Sequence, residues 1–142
     1  MAGRRSVSAR LARLVGERAR YLCEYCRLRQ DLCAEPFEID HIIPRTDAGP
    51  TILSNLCLAC SVCNNAKADR TRAADPISGR LERLFNPRID DWSQHFRWSQ
   101  DFGTIIGRTA VGRASVAALN MNHPRVGRLR RLWVRLRMHP PE

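Results

Sequence analysis

The sequence predicts a small α+β protein. Its centre is a strand–loop–strand–helix (ββα) core stapled by a four-cysteine zinc site, with an N-terminal helix and a C-terminal α/β extension. Three observations carry this. The pairs Cys23-x-x-Cys26 and Cys60-x-x-Cys63 share one spacing. Between them, Phe37-Glu38-Ile39-Asp40 alternates apolar and acidic residues, the pattern of a strand with two unlike faces, and runs into His41 and Pro44. The 142 residues suit one domain with a small extension, and the short polar centre needs a structural metal to hold it.

Each element follows in order. From about Val7 to Arg20, the residues Val7, Leu11, Leu14, Val15, Ala19 and Leu22 fall near one helical face, while Arg10, Arg13 and Arg20 are available for the other. Tyr21 to Cys26 forms the first cysteine knuckle, and residues 27–36 read as loop. A strand covers Phe37 to Ile43 and is ended by Pro44. The turn-rich run Thr46-Asp47-Ala48-Gly49-Pro50 leads to a second, antiparallel strand at Leu56–Ala59 and then a helix at Ser61–Arg70.

Composition changes beyond Ala74, so residues 1–74 are expected as the core unit and 75–142 as an extension packed on it. In the extension, a turn is expected at 75–79, strands at 80–85 and 104–106, and a helix at 112–120. A last helix is expected to be capped by Asn122, with Pro124 in its first turn. Its apolar face is Val126, Leu129, Leu132, Trp133 and Leu136, and its other positions carry arginine. Met138 to Glu142 reads as disordered.

The chain has 24 basic and 14 acidic residues, a formal charge of +10, and Lys67 is its one lysine. Such a surface attracts polyanions, chiefly nucleic acid, although so uniform a use of arginine also reflects codon bias. No stretch reaches the roughly 18–20 apolar residues of a membrane span. Met1-Ala2-Gly3-Arg4-Arg5 leads into an Arg-studded segment and not a hydrophobic signal region. A cytoplasmic protein with reduced thiols and no membrane partner is therefore expected. No heptad repeat specifies an oligomer, so a monomer is the default expectation.

Reduced cysteines at this spacing favour a tetrahedral Zn2+ held by Cys23, Cys26, Cys60 and Cys63 over two disulfides or a redox pair. Cys57, in an apolar run, reads as core, and Cys33 as an incidental loop thiol.

The run Glu38-Ile39-Asp40-His41-Ile42-Ile43-Pro44, then Ser54-Asn55-Leu56, then Cys63-Asn64-Asn65-Ala66-Lys67 resembles the HNH endonucleases, the ββα-metal nucleases. The likeness covers about residues 21–67. It implies a metal-dependent nuclease acting on DNA, with RNA as the alternative substrate. A zinc-stabilised binding module with a vestigial site is the competing reading. His41 would be the general base, since a neutral imidazole accepts a proton from water near pH 7. The resemblance gives Asp40 and Asn64 to a divalent cation. Asn64 stands where histidine is commoner, and oxygen ligands favour Mg2+ or Mn2+.

Asn55 would tie down the loop between the strands and so orient His41. Glu38, on the same strand face as Asp40, either approaches the cation, pairs with Arg45 or is simply solvated. Lys67 and Arg45 are expected as phosphate contacts, against plain surface charge.

Leu84 to Arg88, Trp92 to Trp98 and Gly107 to Ala114 resemble an extension found in a subgroup of bacterial HNH proteins, with no function implied. Its aromatics are expected to pack on the core, and His95 is read as a core histidine. The Arg-rich last helix is either a DNA-backbone contact or an exposed amphipathic helix.

Overall fold

The computed structural model describes residues 7–141; Met1 to Ser6 and Glu142 lie outside them. Helix α1, Ala9–Arg18, is capped by the Ser8 side chain, which accepts from Leu11 N at 3.1 Å. Strands β1 (Glu38–His41) and β2 (Leu56–Ala59) pair antiparallel, with Asp40 opposite Cys57 and His41 opposite Leu56. Helix α2, Ser61–Lys67, follows at once.

Both faces of this hairpin are covered, so every β2 residue is buried. On one face, Val15 of α1 packs with Leu56 and Leu58, joined by Leu11, Phe37 and Ile39. On the other lie the four knuckle cysteines, Tyr25 and Cys57, within the larger core. Asp40, on the acidic face of β1, is thus turned inward, while Glu38 on the same face stays half-buried.

Two further hairpins follow, the first of them straddling the boundary at residue 74. Strands β3 (Arg72–Ala74) and β4 (Leu81–Arg83) enclose the 75–79 turn, where Gly79 takes φ +73°. Helix α3 (Trp92–His95) runs directly into β5 (Phe96–Trp98), which pairs with β6 (Ile105–Gly107). Helix α4 (Ala110–Ala118) is capped by Thr109, and helix α5 covers Pro124–Arg135. Strands β3 and β5 and helix α3 were not expected from the sequence. Each is only three or four residues long, too short to display a period. Helix α2 also stops at Lys67, three residues short of the expected end.

Three expectations for the C-terminal region are corrected. Asn122 does not cap α5; its amide pairs with the backbone of Ile105, accepting at 2.8 Å and donating at 2.8 Å, while His123 Nδ1 accepts from Arg125 N. The buried side of α5 is Val126, Gly127, Arg130 and Trp133, whereas Leu132 and Leu136 are exposed. Arg130 turns inward because carbonyl groups await it: Met121 O at 2.7 Å, Cys26 O at 3.3 Å and Gly103 O at 3.3 Å. The tail is fixed as far as it is described: His139 is buried edge-on against Trp98, with Nε2 donating to Phe102 O at 3.0 Å.

The extension and the knuckles share one apolar cluster. Trp92, Phe96, Ile105, Met121, Val126 and Trp133 pack in it with Cys23, Tyr25 and Cys26. The Trp92 indole N–H donates to Tyr25 O at 2.8 Å. The extension's aromatic residues therefore form part of the core.

Candidate active site and metal centre

The four knuckle sulfurs converge, all lying within 4.8 Å of one another, and Cys26 Sγ is 3.7 Å from Cys60 Sγ. Zn–S bonds of about 2.3 Å at tetrahedral angles require sulfurs about 3.8 Å apart. Each knuckle adds the same support: Cys26 N donates to Cys23 Sγ, and Cys63 N to Cys60 Sγ, both at 3.5 Å. The second of these bonds caps α2. This buried tetra-Cys cluster fits a structural zinc ion.

The cysteine cluster locates the hairpin, and β1 ends at His41. His41 Nε2 lies 2.9 Å from Thr51 Oγ1, leaving Nδ1 as the ring nitrogen for a water. Burial lowers the His41 pKa below that of ordinary histidine, and the positive charges of Arg45 and Lys67 lower it further, against Asp40. The imidazole is thus neutral at pH 7.

Asn55, 6% exposed, ties the loop to the hairpin. Its Oδ1 accepts from Ile43 N at 2.9 Å, and its Nδ2 donates to Ile43 O at 3.0 Å and Pro50 O at 2.9 Å. Gly49 completes the turn, because a Cβ there would sit 1.7 Å from Ile43 O. The result is a closed loop from which Thr51 reaches His41.

Beside α1 and α2 a cleft of about 800 Å³ opens along β1, lined by Glu38, His41, Asn64 and Asn65 together with Val7, Ala12, Phe37 and Ile39. Asn64 Nδ2 donates to Glu38 Oε2. Asp40 is not among the lining residues. It is 5% exposed, and its Oδ2 accepts from Tyr25 OH at 2.7 Å and pairs with Lys67 Nζ at 3.2 Å. Burial pushes the Tyr25 phenol well up, so it stays protonated and donates.

One expectation therefore needs correcting. Lys67 is 2% exposed and cannot meet a phosphate; its ammonium bridges Asp40 and, at 3.1 Å, His41 O. Asp40 turns inward to Tyr25 and Lys67, while Asn64 lines the cleft beside Glu38. The reason is how α2 lies on β1. Asn64 meets Glu38, and Lys67, one helical turn on, meets Asp40, two strand residues on.

Arg45 is exposed in a one-turn helix after β1, and its charge reaches His41. Tyr25 and Thr51 were missed in the sequence. Neither lies at a motif position, and only the fold brings them to Asp40 and His41. Cys57 is fully buried beside Asp40, and Cys33 donates to Arg29 O at 3.1 Å. His95 lies outside the cleft, held by Thr109 Oγ1 at 2.7 Å and facing Asp90 at 3.7 Å.

Residues 23–70 match the family model described as HNH endonuclease. The matched segment contains both knuckles, both strands of the central hairpin and α2. No curated protein and no solved structure matches the chain. Among the described residues no helix is long and apolar enough to cross a membrane. The similarity to that family thus covers about a third of the chain.

Proposed function

We propose that this HNH domain is an active endonuclease that hydrolyses phosphodiester bonds in DNA. The observation that carries this reading is His41. It is a neutral imidazole fixed through Nε2 by Thr51, and it opens on the same cleft as a carboxylate and a carboxamide.

Hydrolysis requires an activated water, neutralisation of phosphate charge and protonation or stabilisation of the leaving oxygen. His41 Nδ1 takes the proton from water, which attacks phosphorus in line with the departing oxygen. The Thr51 hydroxyl and the Asn55-tied loop hold the ring while it gains charge. Magnesium or manganese, when bound, supplies positive charge at the phosphate. Arg45, whose charge reaches His41, would contribute to drawing in the phosphate backbone together with the +10 charge of the chain.

The test is nicking of supercoiled plasmid by the zinc-loaded chain with Mg2+ or Mn2+ against chelator, with an RNA substrate alongside. His41→Ala should slow cleavage about 10²–10⁴-fold, with zinc content and circular dichroism unchanged. A wild-type chain that binds DNA but cuts neither polymer is a binding module. Equal cutting by His41→Ala removes the histidine from the chemistry.

A further inference from the structure

We infer that the exposed side of α5 is a second nucleic-acid contact, separate from the cleft, on which Arg125, Arg128 and Arg135 hold the phosphate backbone of duplex DNA. The inference rests on the endonuclease reading above for the kind of polymer, and adds an anchoring surface outside the catalytic cleft.

The first argument is charge that the fold leaves unanswered. Between Asp101 and Glu142 the chain has eight arginines and no acid. Elsewhere arginines meet carboxylates: Arg29 pairs with Asp31 at 2.7 Å, Arg83 with Asp90 at 2.7 Å and Arg113 with Asp75 at 2.8 Å. On α5, Arg130 is buried among carbonyl groups, and Arg131 lies over Gly103 and pairs with Asp101 at 3.2 Å. Among the described residues, Arg131 alone of the exposed arginines of α5 has an ion pair. Codon bias accounts for arginine in place of lysine. It does not account for a helix without a single Asp or Glu.

The second argument is that the helix gains nothing from this pattern. The N-terminal end of a helix favours acids, yet the first turn of α5 has none and carries Arg125. Arg125 and Arg128 are three residues apart, where like charges repel. Helix α1 shows the stabilising arrangement, with Arg13 facing Glu17 one turn on at 4.0 Å. A face that destabilises its own helix in this way fits a polyanion that neutralises it.

The third argument is which polyanion. A helix that lies in a membrane surface embeds its apolar stripe in lipid. In α5, Val126 and Trp133 are already in the core, and only Leu132 and Leu136 of that stripe are exposed. A second copy of the chain would set like charges together. The three arginines extend over about 15 Å of helix, and phosphates recur every ~3.4 Å along each strand of a duplex. A guanidinium meets a phosphate through paired N–H donors. Such contacts fix the polymer's position and carry no sequence information. No residue of α5 lines the cleft, but Arg130 ties the helix to Cys26 O in the first knuckle. DNA held on α5 is therefore held relative to the hairpin that bears His41.

The experiment titrates the full zinc-loaded chain into labelled duplex DNA and follows fluorescence anisotropy over a range of NaCl concentrations, without added Mg2+ or Mn2+. The triple variant Arg125→Gln/Arg128→Gln/Arg135→Gln should weaken binding about tenfold or more. It should also lower the slope of log affinity against log salt by about 2.7, at about 0.9 per phosphate contact. The variant Arg72→Gln/Arg80→Gln/Arg97→Gln removes the same charge from exposed arginines off α5. It should change affinity by less than about threefold. Zinc content and circular dichroism should be unchanged in both.

Wild-type affinity in the α5 variant, or an equal loss in both variants, would overturn the assignment. So would an α5 dependence seen with phosphatidylserine vesicles or duplex RNA and not with DNA. Plasmid cleavage by the same proteins with Mg2+ separates the two readings. An α5-dependent affinity in a chain that cuts nothing keeps the anchor and sinks the nuclease. Cleavage by the wild-type chain, with wild-type affinity in the α5 variant, does the reverse.

Discussion

Asp40 and Lys67 form an ion pair that water barely reaches, next to the residue that must exchange protons with water. Such a pair is tolerated when its remaining hydrogen-bonding capacity is used, as Tyr25 and the His41 carbonyl do here. His41 is only partly buried, and three charges act on it. Asp40 favours its protonated form, whereas Arg45 and Lys67 oppose it. Replacing Arg45 by Gln removes a cation from the imidazole, so the His41 pKa should rise. The acid limb of the kcat/KM profile should then move to higher pH, most clearly at low salt, where exposed charges are least screened. A limb that stays in place or moves to lower pH would show that Arg45 does not set the base. At this scale the sequence was informative about His41 and the cysteines and less so about their partners. Alternation puts Glu38 and Asp40 on one face, but only the seating of α2 decides which of them meets Asn64 and which meets Lys67. The one lysine looked like a surface contact because lysine is seldom buried, and nothing near it in the sequence says otherwise.

The hairpin, α2 and the two knuckles stand or fall together, because the elements are too short to persist alone. The paired strands have four residues each and α2 has seven. A helix of that length is marginal without tertiary support, and here the Cys60 sulfur is also its cap. In zinc-finger peptides a structural zinc contributes about 10–16 kcal/mol, which is then folding energy. Stripping the ion with a strong chelator should therefore unfold residues 23–70. The readouts are loss of circular dichroism and a shift in tryptophan fluorescence, because Trp92 is hydrogen-bonded to Tyr25 inside the first knuckle. Cys60→Ser should behave the same way even with zinc present. A chelated chain with an unchanged spectrum would mean that the sulfur cluster is an apolar core feature. The elements bracketed by cysteines were legible because paired spacing, alternation and Pro44 are strong local signals. Those beyond the second knuckle's helix were not: β3 and β5 have three residues each, and their identity comes from the neighbours they pair with, Leu81–Arg83 and Ile105–Gly107.

Across the molecule the boundary near residue 74 marks a change in composition, while packing runs straight through it. Cys23, Tyr25 and Cys26 lie in one apolar cluster with Phe85, Trp92, Phe96, Met121 and Trp133. Arg130 is the strongest tie. It is wholly buried, its guanidinium spans from Cys26 O in the knuckle to Met121 O, Gly103 O and Asn122 Oδ1 in the extension, and it lies 5.4 Å from the Trp98 ring. Its acceptors lie on both the knuckle and the extension, so it senses whether the two are docked. A chain cut after Ala74 would lose this tie and expose the apolar side of Tyr25 and Cys26. Even with zinc supplied, that fragment should lack the dispersed amide spectrum of a folded core and should lose plasmid cleavage. Arg130→Met in the full chain removes the carbonyl contacts while keeping most of the volume. It leaves several buried carbonyls unpaired at about 1–3 kcal/mol each, so its unfolding midpoint in urea should fall while its zinc content holds. A fragment of residues 1–74 that folds and cuts like the full chain would instead make the zinc-stapled ββα unit an independent nuclease and the extension an accessory.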